Sequence, residues 1–170
     1  MFRRLIFLVA LAGILTIGVR EYIIEGIYVA SGSMLPTLTV GTNYFLEKIS
    51  IKYKNPGYGD IIVFPSPVLN EHGLIKRLIG LPGDIIEIKE KIVYRNGIKL
   101  YEPYVQHTRI NEMLKGDNIG PLTVSEGMAF VMGDNRDESG DSRDWKDKDT
   151  GEHIYFIPLS SIQGKIIQFI

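Results

Sequence analysis

The chain has 170 residues, close to the length of one domain, and 45% of them are hydrophobic against 23% charged. This composition excludes wholesale disorder, and a formal net charge of −1 disfavours a protein whose main task is to bind nucleic acid. The sequence contains no cysteine, so disulfides, thiolate metal sites and cysteine nucleophiles are excluded, while the compartment stays open.

The first predicted element is a membrane anchor formed by residues 1–24. An uncharged apolar run from Leu5 to Val19 spans roughly 22 Å as a helix, at about 1.5 Å per residue, against a hydrocarbon core of about 30 Å. Apolar neighbours extend this run, and arginines at both ends can reach the lipid headgroups: Arg3, Arg4 and Arg20. The positive-inside rule predicts a cytoplasmic N-terminus.

A cleaved secretory signal and a buried core helix are the alternatives for this segment. Ala10-Leu11-Ala12 has the form of a cleavage site, but the apolar run continues well past it. A helix packed on a protein surface needs a polar face, and this run has none. The uncleaved anchor is therefore preferred, with residues 25–170 on the outer side of the membrane.

From Glu25 onward the pattern predicts a mainly antiparallel β domain. Asn96-Gly97 lies between two apolar runs and predicts a hairpin. The region 108–115 is the longest helix candidate outside the anchor. Short apolar runs bounded by Gly, Pro, Asn and Asp predict strands at 26–30, 43–49, 60–64, 74–80, 85–89, 91–94, 98–100, 128–132 and 164–170, with loops at 55–59, 65–73 and 116–121.

The segment 31–38, SGSMLPTL, is the first candidate for chemistry. Gly32 and Pro36 bend the chain after an apolar strand and leave a hydroxyl exposed at the strand end. Two serines around one glycine suit acyl transfer, because one hydroxyl can attack while another stabilises the oxyanion. On its own, this octapeptide is better interpreted as an ordinary Ser/Gly turn.

A second candidate lies in 74–84, where Lys76 and Arg77 interrupt an apolar strand. Neighbouring residues of a strand face opposite sides, so one of the two should point inward. A lysine desolvated among Leu and Ile has a lowered pKa, and its neutral amine can take a proton from a serine hydroxyl. Charges that protect an edge strand are the simpler alternative.

The third candidate is the polar segment 133–145, GDNRDESGDSRDW. Its alternating acids and arginines predict a salt-bridged loop. Asp137, Ser139 and Asp141 fall at alternate positions, as in a calcium loop, but the glycine and the final glutamate of that pattern are missing. The histidines His72, His107 and His153 lack ligand spacing and are interpreted as surface residues, so no metal is predicted.

Four segments in this order, behind an apolar N-terminal run, resemble the sequence boxes of bacterial type I signal peptidases (leader peptidases). They are 31–38 (SGSMLPTL), 59–64 (GDIIVF), 76–84 (KRLIGLPGD) and 133–145 (GDNRDESGDSRDW), and the resemblance covers essentially the whole chain. It implies a membrane-bound serine endopeptidase with a Ser-Lys dyad. It also implies a mainly β, barrel-like catalytic domain after one transmembrane helix, with a small β excursion at about 85–127.

The resemblance also assigns roles to individual residues. Ser33 is implied as the nucleophile and Lys76 as the general base, with Ser31 and the Ser33 N–H at the oxyanion and Ser139 bonded to the lysine amine. The implied structural ion pairs are Asp141–Arg143 and Asp134–Arg77. The positions that line the substrate pockets are Ile27, Val29, Leu38 and Ile75.

By the same resemblance, the substrates are exported preproteins, cut after small residues of the Ala-x-Ala type. No cofactor, metal or nucleic acid is implied, and the partners are the preprotein and membrane lipid. The expected location is the bacterial cytoplasmic membrane, in a single-pass arrangement. Two alternatives stay open: a specialised peptidase for pilin or conjugation precursors, and a catalytically inactive, membrane-tethered peptide-binding module.

Overall fold

A computed structural model describes residues 2–68 and 73–167. Within these ranges it contains two helices, eleven strands and several short 3-10 turns. The helices are α1 (Phe2–Tyr22) and α2 (Ser50–Tyr53), and the strands are β1 (Ile24–Tyr28), β2 (Asn43–Glu47), β3 (Ile61–Pro65), β4 (Gly73–Gly80), β5 (Ile85–Lys89), β6 (Ile92–Arg95), β7 (Ile98–Lys99), β8 (Ile119–Thr123), β9 (Met128–Met132), β10 (Ile157–Pro158) and β11 (Gly164–Ile167).

The strands form two antiparallel sheets, and the predicted fold class is confirmed. A seven-stranded sheet has the order β1-β2-β11-β3-β4-β9-β10, and a four-stranded sheet has the order β7-β6-β5-β8. The smaller sheet is an excursion between β4 and β9. In the larger sheet β1 is an edge strand, while β3 and β4 lie near the centre.

Helix α1 is long and apolar enough to cross a membrane, and none of its side chains is buried in the protein. Only Ile23 separates its last residue from the first residue of β1. The helix therefore leads directly into the edge strand of the large sheet without a flexible linker.

Strands β3 and β4 are covered on both faces because their side chains alternate between two apolar clusters. Ile62, Phe64 and Leu78 belong to the cluster that also contains Trp145. Ile61 and Val63 belong to a second cluster with Val29, Met34 and Leu38. This double coverage makes β4 a rigid support for the residues that project from it.

The Asn96-Gly97 hairpin is confirmed: Arg95 pairs with Ile98, and the two turn residues have φ values of 55° and 77°. Such positive φ values at both central positions are those that a type I′ turn requires, and Asn and Gly adopt them readily.

Two local predictions are wrong, and one short helix was not predicted. The loop predicted at 116–121 overlaps β8, where Pro121 is tolerated because β8 lies at the edge of its sheet. The helix predicted at 108–115 does not form, since Asp137 and Lys91 bond both backbone groups of Arg109. Helix α2 was not predicted; the Glu47 carboxylate accepts the Ser50 N–H and so starts it.

Candidate active site

The side chains of Ser33 and Lys76 meet in the structure. Lys76 Nζ donates a hydrogen bond to Ser33 Oγ over 2.8 Å. Ser33 belongs to the 3-10 turn Gly32–Met34 that follows β1, and Lys76 lies in the middle of β4. Both residues are buried, with exposures of 9% and 3%. The sequence separates them by 43 positions, and the fold brings them into contact.

Burial lowers the pKa of Lys76 to about 8, because the charged amine has lost most of its contact with water. Nearby charges modify this value in both directions: Asp141 raises the pKa, Arg143 lowers it, and Asp134 and Asp144 raise it. A substantial fraction of the amine is therefore neutral at mildly alkaline pH. A neutral amine at this distance can accept a proton from the serine hydroxyl.

Ser31 lies beside this pair at the mouth of the site. Its Oγ is 3.4 Å from Ser33 Oγ, and its side chain is more exposed than that of Ser33. The structure thus brings three of the predicted site residues together at the end of β1.

The two expected ion pairs are present, and both are buried. Arg143 contacts both oxygens of Asp141, with Nε and Nη2 at 2.8 and 2.9 Å. Arg77 contacts both oxygens of Asp134, at 2.8 and 2.6 Å, and its guanidinium lies 3.8 Å from the ring centre of Tyr104. Paired contacts of this kind fix the orientation of both side chains.

Asp141 is fully buried beside Lys76, and its environment keeps it ionised. Burial alone would raise the pKa of this carboxyl, but Arg143 and the Gly133 N–H lower it below its usual value. The Gly133 N–H donates to Asp141 Oδ2 over 2.9 Å. The ion pair therefore also holds the end of β9. This end lies next to the turn Gly32–Met34, which carries Ser33 and is called the serine turn below.

The serine turn is held by the segment 133–135, a role that the sequence did not reveal. Asn135 donates two hydrogen bonds of 3.1 Å, from its backbone N–H to the Ser33 carbonyl and from its side chain to the Gly32 carbonyl. A Cβ at Gly133 would lie 2.2 Å from Ser139 Oγ and 2.5 Å from the Ser33 carbonyl oxygen. Only glycine fits this approach, and the GDN triplet was the available signal.

The structure corrects one expectation: the hydrogen bond between Ser139 and the lysine amine does not form. Ser139 is buried close to Gly133, but its Oγ has no hydrogen-bond partner among the described residues. The physical reason is that the amine points to Ser33, while Ser139 packs against the end of β9.

A cleft of about 310 Å³ opens beside Ser33 and Lys76. Ile27, Val29 and Ile75 line it, as the resemblance implies. Leu38 does not, because it is completely buried in the apolar cluster beneath the cleft. Met34 and Leu46 line the wall as well, and no motif in the sequence pointed to them.

In the segment 133–145, the carboxylates of Asp137 and Asp141 form ion pairs with basic side chains, which argues against a calcium site there. Lys91 Nζ lies 2.8 Å from Asp137 Oδ1, and Arg143 holds Asp141. Among residues 2–68 and 73–167, no group of three or more acidic or histidine side chains converges as a metal site.

Two of the three histidines are not simple surface residues. The His107 ring lies 3.3 Å from Asp137 Oδ1 and is only partly exposed. The ring of His153 stacks on Tyr155 with centroids 4.6 Å apart. His72 lies outside the described residues.

Comparison with known proteins decides which family this arrangement represents. The family model "Signal peptidase, peptidase S26" matches residues 2–170. The chain belongs to the signal peptidase family. Its function is accordingly the removal of signal peptides from preproteins, as a serine peptidase, and the apolar helix α1 is consistent with a membrane-anchored enzyme.

Individual members of the signal peptidase family support this assignment over most of the chain. A probable signal peptidase I-1 of Synechocystis is 39% identical, over 92% of this chain and 76% of that protein. Signal peptidase I P of Bacillus subtilis subsp. natto is 37% identical, over 91% and 88%. The crystal structure of a signal peptidase I from Enterococcus faecalis superposes with a TM-score of 0.51 at 36% identity, over 67% of this chain and 98% of that one.

Proposed function

We propose that Ser33 is the nucleophile of this signal peptidase and that Lys76 is its general base. The Ser33 oxygen forms a bond to the carbonyl carbon of the scissile peptide, and its proton passes to the neutral Lys76 amine. The carbon–nitrogen bond then breaks, and Lys76 returns the proton to the leaving amine. The 2.8 Å contact between Lys76 Nζ and Ser33 Oγ carries this proposal.

The second half of the reaction releases the signal peptide. Lys76, neutral again, takes a proton from a water molecule that attacks the ester on Ser33. The bond between the acyl carbon and the Ser33 oxygen then breaks, and Lys76 returns the proton to that oxygen. The Ser31 hydroxyl and the Ser33 N–H donate to the oxyanion in both steps. Ser31 Oγ lies 3.4 Å from Ser33 Oγ at the mouth of the site, and this position beside the nucleophile supports the role of Ser31.

The substrate binds as an extended strand between β1 and the first half of β4. Two features support this: β1 is at a sheet edge, and β9 pairs with β4 only from Arg77 onward. A peptide added to these edges places alternate side chains in the cleft lined by Ile27, Val29 and Ile75. The branched side chains of Ile27, Val29 and Ile75 crowd that cleft, which supports a preference for small residues before the cut, as in Ala-x-Ala.

The enzyme acts at the outer surface of the bacterial cytoplasmic membrane, as a single-pass protein. Residues 1–24 form the anchor, and residues 25–170 form the catalytic domain. Arg3 and Arg4 keep the N-terminus cytoplasmic, and lipid surrounds α1. The direct connection of α1 to β1 supports this arrangement, because it keeps the cleft close to the membrane where the preprotein emerges.

Incubation of the purified protein with a model preprotein in detergent tests the assignment, with the cut site read by mass spectrometry. Ser33→Ala and Lys76→Ala should each abolish cleavage while the fold survives. Ser125→Ala and Lys99→Ala make the same chemical changes at exposed positions and should cleave normally. Retained cleavage in either site variant would contradict the proposal, as would a wild-type protein that binds an Ala-x-Ala substrate without cutting it.

A further inference from the structure

A second cavity adjoins the Ser33–Lys76 pair. It has a volume of about 590 Å³ and shares Ser31, Ser33, Leu74 and Lys76 with the first cleft. Its other walls come from different parts of the chain: Val68 after β3, and the segment from Glu138 to Lys146. The two cavities are therefore the two halves of one groove, divided by the reacting atoms.

The floor of the second cavity is apolar and fixed. Val68 and Leu74 pack against the cluster that contains Trp145, and Trp145 makes an edge-to-face contact with Phe64 at 6.0 Å between ring centres. Because Val68 and Leu74 pack against this buried cluster, the floor keeps its shape when a ligand enters.

The rim of the second cavity carries charges of both signs, so it favours neither a positively nor a negatively charged ligand. Glu138 is paired with Arg109 at 2.9 Å, so its charge is largely neutralised. Asp144 and Lys146 contribute one charge each, of opposite sign. Discrimination between ligands is thus left to the apolar floor.

We propose that this second cavity binds the first residues of the mature protein, and that its floor of Val68, Leu74 and Trp145 favours an apolar side chain there. The inference rests on the proposed function. If the residues before the cut occupy the cleft of Ile27, Val29 and Ile75, the chain must continue past Ser33 into the other half of the groove. The leaving amine that Lys76 protonates then belongs to the residue held over this floor.

Introduced charges at Val68 test the proposal, because this side chain is only partly buried and lies on the floor. Full-length Val68→Lys and Val68→Glu are compared on peptides identical up to the cut, with Lys, Glu, Gln or Leu at the first or second position after it. Wild type should prefer Leu over Gln by a few-fold. Val68→Lys should shift the Glu/Lys ratio of kcat/KM about five-fold towards Glu, and Val68→Glu about five-fold towards Lys. Each ratio is measured within one variant, so a smaller folded fraction cancels.

Ile110→Lys and Ile110→Glu are the matched controls, since Ile110 is highly exposed and lines neither cavity. Their ratios should equal that of the wild type. Val68 variants that cut with unchanged ratios after the cut, or that change the preference before it, would overturn this inference and leave the Ser33–Lys76 mechanism intact. A wild-type protein that cuts no peptide would instead defeat the proposed function itself.

Discussion

Lys76 Nζ donates to Ser33 Oγ in the structure, whereas the proposed reaction needs the proton to move the other way. The bond must therefore reverse: once the amine has lost its proton, the serine hydroxyl donates and the lysine nitrogen accepts. The geometry serves both states, because only the position of one hydrogen changes. The reactive fraction of the enzyme is then set by the pKa of Lys76.

The pH dependence of cleavage follows from this relationship. Because burial lowers the pKa of Lys76 to about 8, kcat/KM should rise about ten-fold per pH unit below that value and level off above it. A pH profile on a soluble peptide, with folding followed in parallel, measures the midpoint. A maximum near pH 5 would contradict a neutral-lysine base.

The same pKa predicts that Lys76 destabilises the fold at neutral pH. In the unfolded chain the amine has its ordinary pKa of 10.5, so the unfolded state binds more protons than the folded state between about pH 8 and 10.5. Stability from this group therefore rises with pH across that window, by about 3 kcal/mol in total. Lys76→Met should unfold at a higher temperature than wild type at pH 7, with a smaller difference near pH 10. Equal pH dependence in the two proteins would contradict the prediction.

The buried pair beside the lysine should tune the pH profile in opposite directions. Asp141 raises the pKa of Lys76 and Arg143 lowers it. Asp141→Asn should therefore move the midpoint of kcat/KM to lower pH, and Arg143→Met should move it higher. Each variant leaves one charge buried without its partner, so each should also lose roughly 3–5 kcal/mol of stability.

Arg109→Met is a control for the Arg143 variant, because Arg109 forms an exposed ion pair with Glu138. It should leave both the midpoint and the stability close to wild type. Equal shifts in Asp141→Asn and Arg143→Met would mean that the pair acts only on the fold.

The sequence predicted the elements that depend on local pattern, such as the Asn96-Gly97 hairpin and the apolar helix α1. It did not predict β8, whose Gly120 and Pro121 look like loop residues and are accepted only because the strand lies at a sheet edge. Contacts between residues far apart in the sequence could not be predicted either. The bonds from Asn135 to the serine turn join residues about a hundred positions apart, and no spacing rule reports them.

For the site, the residue types were informative and their exact contacts were not. The residue types made the two segments around Ser33 and Lys76 candidates for acyl transfer, the family resemblance assigned the two roles, and the fold brings the two side chains together. Leu38 and Ser139 were assigned by resemblance alone. Their actual positions, in the core and against Gly133, depend on side-chain packing that a motif does not encode.

Gly133→Ala should inactivate the enzyme, because the new methyl group would lie 2.5 Å from the Ser33 carbonyl oxygen and must displace the serine turn. A shift of about 1 Å in a reacting group can cost on the order of 100-fold in rate, and cleavage should fall by at least that much. Gly120→Ala is the matched control, since a Cβ there meets nothing within 4 Å. Peptide cleavage and thermal unfolding of both variants measure the effect, and a Gly133→Ala enzyme with normal kcat/KM would refute the argument.

Lys48 should matter for preproteins in a membrane and not for soluble peptides. Its Nζ lies 3.3 Å from the Glu21 carbonyl at the end of α1 and 2.7 Å from the Glu25 carboxylate on β1. One ammonium group therefore binds the end of the anchor helix and the edge strand at the same time. A lysine at a helix C-terminus satisfies carbonyls that otherwise lack partners. Lys48→Met frees the anchor to tilt against the sheet, and processing of a membrane-inserted preprotein should fall a few-fold.

Cleavage of a soluble peptide by Lys48→Met should stay within two-fold of wild type, because the distant Ser33–Lys76 pair does not contact this residue. Lys48→Arg should restore most of the lost activity on the preprotein, and Lys99→Met, which removes an exposed lysine, should have no effect. Parallel losses on both substrates would mean that Lys48 supports the fold as a whole. A selective loss on the preprotein means that the height and orientation of the cleft above the membrane limit its reaction.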